Sequence, residues 1–213
     1  MALSTGLVSD ALGKTGAMDH EIKCRSARAS MAGPAYTVRV HSADILMVGK
    51  ALSECPEGHV LVVDGRGERN TALWGGITTQ AARLKGLAGV VIDGAVRDSE
   101  EISKDQLPVF ARSVVPSAGG AEYAGETQVP VQCGRVPVRP ADWVVGDLDG
   151  VAVVPGERVG ETLRAAEALQ KVEARITAAV ERGGDLAELL HYDEILDRKR
   201  HTGLPQLRFS GKR

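Results

Sequence analysis

Two apolar runs set the outline of this chain. "HVLVVDG" (His59–Gly65) and "GVVIDG" (Gly89–Gly94) are of strand length, rich in Val and Ile, and without polar alternation until each reaches an Asp-Gly pair. A strand that is apolar on both faces has to be covered on both faces, which is the condition of a strand inside a parallel sheet. Between them, "GGITTQAARLKG" places Ile77, Ala81 and Leu84 at helical spacing, opens on Gly75-Gly76 and stops at Gly86. Strand, helix and strand in that order predict a buried βαβ unit. "PVFARSVVP" is a third run of the same kind.

The flanking segments read as follows. Ser4 caps a short helix through Leu12, with Leu7, Val8, Ala11 and Leu12 on one face and Asp10 off it. "AYTVRV" reads as a strand. "HSADILMVGKAL" reads as a helix capped by Ser42, with Asp44 in its first turn, a stripe of Ile45, Val48 and Leu52, and Pro56 as its stop. From Gln128 to Pro155, short apolar runs alternate with Pro, Gly and Asp, which predicts tight β-structure with Asp147 and Asp149 as turn residues. From Glu157 the chain turns helical. A stripe of Leu163, Ala166, Leu169, Val172 and Ile176 ends at Gly183-Gly184, and Asp185 opens a second helix with a capping box to Glu188 that closes on the basic "DRKRH". No low-complexity linker interrupts the chain, so the expectation is one α/β domain over residues 1–183 and a helical extension over 184–213.

Several function classes are disfavoured. The net charge of −2 leaves no electrostatic footprint for nucleic acid and no polybasic membrane anchor. No apolar run approaches the roughly 20 residues a bilayer span needs. The N-terminal "MALSTGLVSDALG" lacks a basic segment followed by an apolar one, so no signal peptide is expected. Cys24, Cys55 and Cys133 are odd in number, far apart and without CxxC spacing. That argues against a thiolate zinc site and for a reducing compartment, so the chain is expected to be cytoplasmic. The five histidines, His20, His41, His59, His191 and His201, are scattered with no HExxH, and no serine sits in GxSxG. Neither Lys50 nor Lys85 reads as a lysine buried for Schiff-base chemistry, which leaves metal-assisted chemistry as the more natural option.

Two stretches carry candidate chemistry. In "VVIDGAVRDSEEI", Arg97-Asp98 stands just past a strand end. One reading makes Asp98 and Glu101 a D-x-x-E capping box with Arg97 as a surface charge. The other makes Asp98 a metal ligand and Arg97 an anion binder, because ligands of parallel α/β sheets bind beyond the carboxyl ends of the strands. Gly75-Gly76 is either a turn that needs glycine or an anion site of bare amides at a helix N-terminus. It is neither GxGxxG nor a P-loop, so no dinucleotide or NTP is implied.

In order along the chain, "STGLVSDAL", "VLVVDG", "WGGI", "GVVIDGAVRD", "PVFAR" and "VVGDLDGVAVVP" resemble the RraA-like proteins, over about Ser4 to Ile176. These include the class II 4-hydroxy-4-methyl-2-oxoglutarate/4-carboxy-4-hydroxy-2-oxoadipate aldolases. The most specific element is Gly76 followed, after twenty intervening residues, by Arg97-Asp98 and then Glu101. The resemblance implies a β/β/α sandwich of the swivelling phosphohistidine-domain type, assembled as a homotrimer or a hexamer of two trimers. It implies Mg²⁺ or Mn²⁺ held by Asp98 and a small 2-oxo acid substrate whose carboxylate meets Gly75, Gly76, Ile77 and Thr78. It places Arg97 against the substrate oxygens, with Asp10 and Glu173 as the best matches for acids that a neighbouring subunit contributes.

The activity so implied is pyruvate aldolase, with oxaloacetate decarboxylation as a side activity. A non-catalytic regulator that binds an endoribonuclease and inhibits RNA processing is the alternative. Two departures from the family pattern stand out. Ile77-Thr78 replace the two leucines that often follow the glycine pair, and the N-terminus is short, with little expected before the first helix; the tail after Gly184 adds no pattern that can be placed.

Overall fold

The structure, a computed structural model, describes residues 3–201. In chain order the elements are α1 (Thr5–Ala11), β1 (Lys23–Cys24), β2 (Met31–Arg39), α2 (Leu46–Glu54), β3 (Val60–Trp74), α3 (Gly76–Leu84), β4 (Gly89–Val96), α4 (Ser99–Lys104), β5 (Val109–Val114), β6 (Glu126–Thr127), β7 (Val131–Cys133), β8 (Val136–Val138), β9 (Trp143–Asp147), β10 (Gly150–Val154), α5 (Val159–Glu181), α6 (Leu186–Leu189) and α7 (Tyr192–His201). The apolar runs pair as predicted: β2, β3, β4 and β5 form a parallel ladder. The sheet order is β1-β5-β4-β3-β2-β9-β10, with antiparallel strands at both edges and β6 added to β2. β7 and β8 make a separate hairpin.

Alternation along the parallel strands builds a core on each face of the sheet. Leu61, Val63, Val90, Ile92 and Val109 point to one side, where they meet Val48, Leu52, Ala82 and Ile102 from the helices. Val60, Val62, Val91 and Phe110 point to the other, where they meet Val131, Cys133 and Val138 of the β7–β8 hairpin with Val144, Val151 and Val153 of β9 and β10. The result is the expected β/β/α layering, made almost wholly of aliphatic side chains.

Neither Asp-Gly pair ends its strand. β3 runs on past Asp64-Gly65, through Arg66 (φ 57°) and Gly67 (φ 72°), and its pairing with β4 slips between Val63 and Glu68 and again before Ala72. Asp93 lies inside β4 and is buried. Its carboxylate accepts from the Gly134 amide at 2.7 Å and from Arg112, whose guanidinium also meets Glu21 at 2.8 Å and Asp19 at 3.3 Å. This buried ionic cluster ties the β7–β8 hairpin and the segment before β1 onto β4 and β5. Burial works against the charge on Arg112, but Asp93 and Asp19 outweigh it and hold its pKa above the ordinary value.

Other expectations also shift. α2 begins at Leu46, not at Ser42, because Asp44 is buried and its carboxylate serves a loop as well as the helix. Ser4 caps α1 as expected, accepting from the Leu7 amide at 3.2 Å. Asp147 is more than a turn residue: it accepts from the Thr5 amide at 2.8 Å and the Thr5 hydroxyl at 2.7 Å, fixing the start of α1. Asp185 caps α6 through the amides of Ala187 and Glu188, but the helix lasts one turn, and His191 (φ 54°) separates it from α7.

By contacts the chain divides into one unit through Glu167 and a second from Ala168 onward. In the second unit, Leu169 and Val172 of the predicted stripe are exposed, as is Val180. Residues 202–213 of the expected extension, and the side chains that end "DRKRH", lie outside the described residues. Among the described residues no helix is long and apolar enough to cross a membrane. The cysteines are free, and burial pushes the Cys55 thiol up to about 12 and the Cys133 thiol well above its ordinary value.

Candidate active site

The ends of β3 and β4 meet at one point. The Arg97 amide donates to the Trp74 carbonyl at 2.9 Å, so the last residue of β3 sits beside the first residue after β4. The chain then turns sharply into α3. The Trp74 indole donates to the Thr79 hydroxyl at 2.7 Å, and that hydroxyl donates to the Gly75 carbonyl at 2.9 Å. The Thr78 hydroxyl accepts from the Gly75 amide at 3.0 Å. Thr78, one of the departures from the family pattern, thus closes the turn that presents the helix.

Asp98 does not form the capping box that its spacing to Glu101 suggests. It sits in the left-handed region (φ 55°, ψ 43°) and makes no side-chain bond to its own helix. Instead its Oδ2 accepts from the Gly76 amide at 3.0 Å, across to the start of α3. Asp is among the few residues that adopt this backbone conformation without heavy cost. Arg97 lies alongside, its Nε 3.7 Å from the same oxygen, with side chains 45% and 38% exposed for Arg97 and Asp98.

At both glycines a Cβ would displace a carboxylate of the site. A Cβ on Gly75 would stand 2.6 Å from Asp98 Oδ2 and 3.3 Å from Arg97 Cγ. A Cβ on Gly76 would stand 1.9 Å from Glu101 Oε2. Asp98 and Glu101 therefore flank one glycine, and they are the residues here that could hold a cation. Asp98 Oδ1 has no hydrogen-bond partner among the described residues. No group of three or more His, Cys, Asp or Glu gathers as a metal cage among them either. Such a donor set suits a small hard cation that keeps most of its water, as Mg²⁺ does. With Gly76 satisfied by Asp98, the first-turn amides of Ile77 and Thr78, which have no intrahelical acceptor, remain for an anion at the positive end of α3.

These groups open onto a cleft of about 140 Å³. Ile45, Val48 and Gly49 form one wall, Ala72 to Trp74 the floor, and Ala118 part of the rim. Arg97 and Asp98 are its charged residues, and no lysine lines it. Lys50 pairs with Glu54 at 2.7 Å, and Lys85 donates to the carbonyls that end α2. The rim is a strap, residues 115–123, laid over the strand ends by bonds from the Ala72 amide to the Ser117 carbonyl (2.7 Å) and from the Ile45 amide to the Gly120 carbonyl (2.8 Å). Asp44 anchors it: Oδ2 accepts from the Glu122 and Tyr123 amides at 2.7 and 3.0 Å, and Oδ1 from the Leu46 amide at 2.8 Å.

The fold thus brings Gly75, Gly76, Ile77, Thr78, Arg97 and Asp98 together. Asp10 does not line the cleft; it is exposed on α1 and pairs with Lys14 at 3.0 Å. Glu173 is exposed on α5, in the second unit. Sequence reasoning missed the apolar wall and the anchoring role of Asp44. The only signal for Asp44 was an acid directly before an apolar helical stripe, which ordinary helix starts share.

Fold and site together define a layered α/β protein whose parallel strand ends carry the N-terminus of α3 beside the Asp98 carboxylate and Arg97. The chain belongs to the RraA-like family (Aldolase/RraA), whose family model matches residues 5–153. The match does not extend to Glu173. A Thermus thermophilus protein named 4-hydroxy-4-methyl-2-oxoglutarate aldolase is 37% identical over 155 residues, covering 73% of this chain and 94% of that one. A Halalkalibacterium halodurans protein, provisionally given the same name, is 37% identical over 168 residues, covering 79% of this chain and 80% of its own. A solved Thermus structure described as the RNA-processing inhibitor RraA superposes with a TM-score of 0.68 at 37% identity, covering 73% of this chain and 94% of that one.

Proposed function

We propose that this chain is a divalent-metal-dependent lyase of the pyruvate aldolase type. It would cleave 4-hydroxy-2-oxo acids to pyruvate and a second carbonyl compound, and would decarboxylate oxaloacetate. The observation that carries this reading is the Asp98 carboxylate, turned off its own helix and held at the Gly76 amide beside Arg97.

The chemistry assigns each group a task. The substrate carboxylate docks on the amides of Ile77 and Thr78, where the α3 dipole favours an anion. Arg97 meets the carboxylate or the enolate oxygen with a planar guanidinium that offers two donors at once. Mg²⁺ or Mn²⁺ bound at Asp98 supplies Lewis-acid stabilisation of the charge developing on the 2-oxo oxygen. Cleavage breaks C3–C4 and leaves its electron pair on C3 as the pyruvate enolate. The C4 hydroxyl gives up its proton to become the new carbonyl, and the enolate takes one up. Glu101, whose carboxylate lies against Gly76, is proposed to accept or return a proton through water. Asp10 and Glu173 are proposed as acids from neighbouring copies in a trimer or a pair of trimers.

The test is pyruvate release from 4-hydroxy-4-methyl-2-oxoglutarate, other 4-hydroxy-2-oxo acids and oxaloacetate, with Mg²⁺ and with EDTA. Metal-dependent release supports the reading. The likeness to the structure described as an RNA-processing inhibitor favours a second reading, binding of an endoribonuclease. No pyruvate from any compound, together with inhibition of an endoribonuclease by the pure protein, would establish that reading instead.

A further inference from the structure

The cleft is unequal at its two ends, and the difference bears on what the substrate carries beyond C4. The end at Gly75, Arg97 and Asp98 holds every polar and charged group that could take the pyruvyl part. The rest is lined by Ile45, Val48, Gly49, Ala72, Leu73 and Ala118. Three backbone donors around that apolar part are already used. The Ile45 amide bonds to the Gly120 carbonyl, the Leu46 amide to Asp44, and the Ala72 amide to the Ser117 carbonyl. Asp44 itself brings a negative charge next to Ile45, since its amide bonds outweigh burial and hold its carboxyl below the usual carboxylate range. On the other side of Arg97 the surface runs to Ser99, Glu100, Glu101, Val114 and Pro116, again with no cation besides Arg97.

We infer that the substrate bears an uncharged hydrocarbon group on C4 in place of a second carboxylate, and that Ile45, Val48, Gly49 and Ala118 select it. This rests on the aldolase reading and narrows its substrate class to 4-hydroxy-2-oxoalkanoates with a short alkyl chain, which would release pyruvate and an aldehyde. A second carboxylate in the apolar end would lose its water and meet no cation among the residues that line it, a cost that no charged group there offsets. An alkyl group there gains by leaving water.

The test uses the full chain with Mg²⁺ and two ligands that the retro-aldol step cannot cleave, 2-oxopentanoate and 2-oxoglutarate. They share the 2-oxo acid end and chain length and differ in a terminal methyl or carboxylate. Calorimetric titration should show 2-oxopentanoate binding tighter by about tenfold or more, the scale set by one unpaired polar group. Two variants probe the selecting wall. A Cβ on Gly49 meets no atom within 4 Å, so Gly49→Leu should fold with an unchanged or higher Tm, fill the apolar end, and weaken 2-oxopentanoate by a similar factor. Ala118→Lys supplies the missing cation and should move the preference toward 2-oxoglutarate.

Equal or tighter binding of 2-oxoglutarate by the unaltered protein, while pyruvate is still released from some 4-hydroxy-2-oxo acid or oxaloacetate, overturns the inference and leaves the aldolase reading in place. So does a well-folded Gly49→Leu protein that binds 2-oxopentanoate as before. Absence of binding by both ligands and of pyruvate release from every compound overturns the aldolase reading, and this inference with it.

Discussion

The Asp98 carboxylate accepts from the Gly76 amide at 3.0 Å, joining the second residue after β4 to the first residue of α3. Asp98→Asn keeps an oxygen for that amide and a residue type that tolerates the left-handed backbone, so Tm should change by only a few degrees. Metal-dependent turnover should fall at least about 100-fold, as when a group acting on the developing charge is lost. Full activity with an unchanged Mg²⁺ response would remove Asp98 from the metal site.

Arg97 contributes little to the fold. Its ion pair with Asp98 is long and half-exposed, and such pairs add about 0–1 kcal/mol. Arg97→Lys should leave the urea midpoint nearly unchanged yet reduce kcat/KM by about tenfold or more, because an ammonium cannot offer two donors in one plane. A stability loss as large as the rate loss would show that Arg97 is a structural residue.

Gly75→Ala would place a methyl 2.6 Å from Asp98 Oδ2. The carboxylate and the Arg97 side chain can swing aside, so the cost in stability should be modest. A displacement of about 1 Å in a reacting group costs on the order of 100-fold in rate. The expected signature is a large fall in kcat with a small fall in Tm, compared in one preparation; activity near that of the unaltered protein would show that the Asp98 position is not critical.

Asp44 makes stability depend on pH. Burial raises its pKa, but the amides of Glu122, Leu46 and Tyr123 lower it by more. A folded-state pKa held below the unfolded value gives stability that is fully present above the ordinary carboxylate value of about 4 and is lost as the pH falls through the folded value. Asp44→Asn leaves one neutral oxygen for three amide donors and should cost about 2 kcal/mol at pH 7. The difference from the unaltered protein should shrink as the pH falls below the ordinary carboxylate value and through the lower folded one. Denaturant titrations at pH 7 and at pH 2.5 that gave the same difference would contradict the electrostatic account.

The proposed sharing of acids between subunits has a direct check. Asp98→Asn subunits and Glu173→Gln subunits, each inactive alone, should recover activity when mixed, because some interfaces would unite an intact Asp98 with an intact Glu173. Mixed oligomers verified by native mass spectrometry that stayed inactive would exclude a site shared between these two residues.

Much of this was legible in the sequence, for a physical reason. Continuous Val/Ile runs can only be strands covered on both faces, so the βαβ core and the position of Arg97-Asp98 past its end followed from local composition. Ser4 as a cap followed from side-chain chemistry alone. What local chemistry could not show were outcomes decided by distant partners. Asp64-Gly65 and Asp93-Gly94 have the composition of strand ends, yet β3 and β4 continue through them. β3 bulges there, and Asp93 is held by Arg112 and the Gly134 amide. Asp98 and Glu101 have capping-box spacing, yet the nearby start of α3 takes the carboxylate. Asp44 looked like an ordinary first-turn acid until the strap, some 80 residues later, used it.

The groups assigned to the pyruvyl end lie on one strand–helix–strand unit, whereas the apolar wall comes from α2 and the strap. On the proposed reading, reactivity and selectivity are written on separate stretches of the chain, and changes at separated sites tend to act independently. A lineage of such proteins can drift through new substrates by altering Ile45, Gly49 or Ala118 alone. Diversification in this fold would then leave its trace in the walls of the cleft long before it touched the reacting centre, and the inherited unit would look the same in proteins that no longer share a substrate.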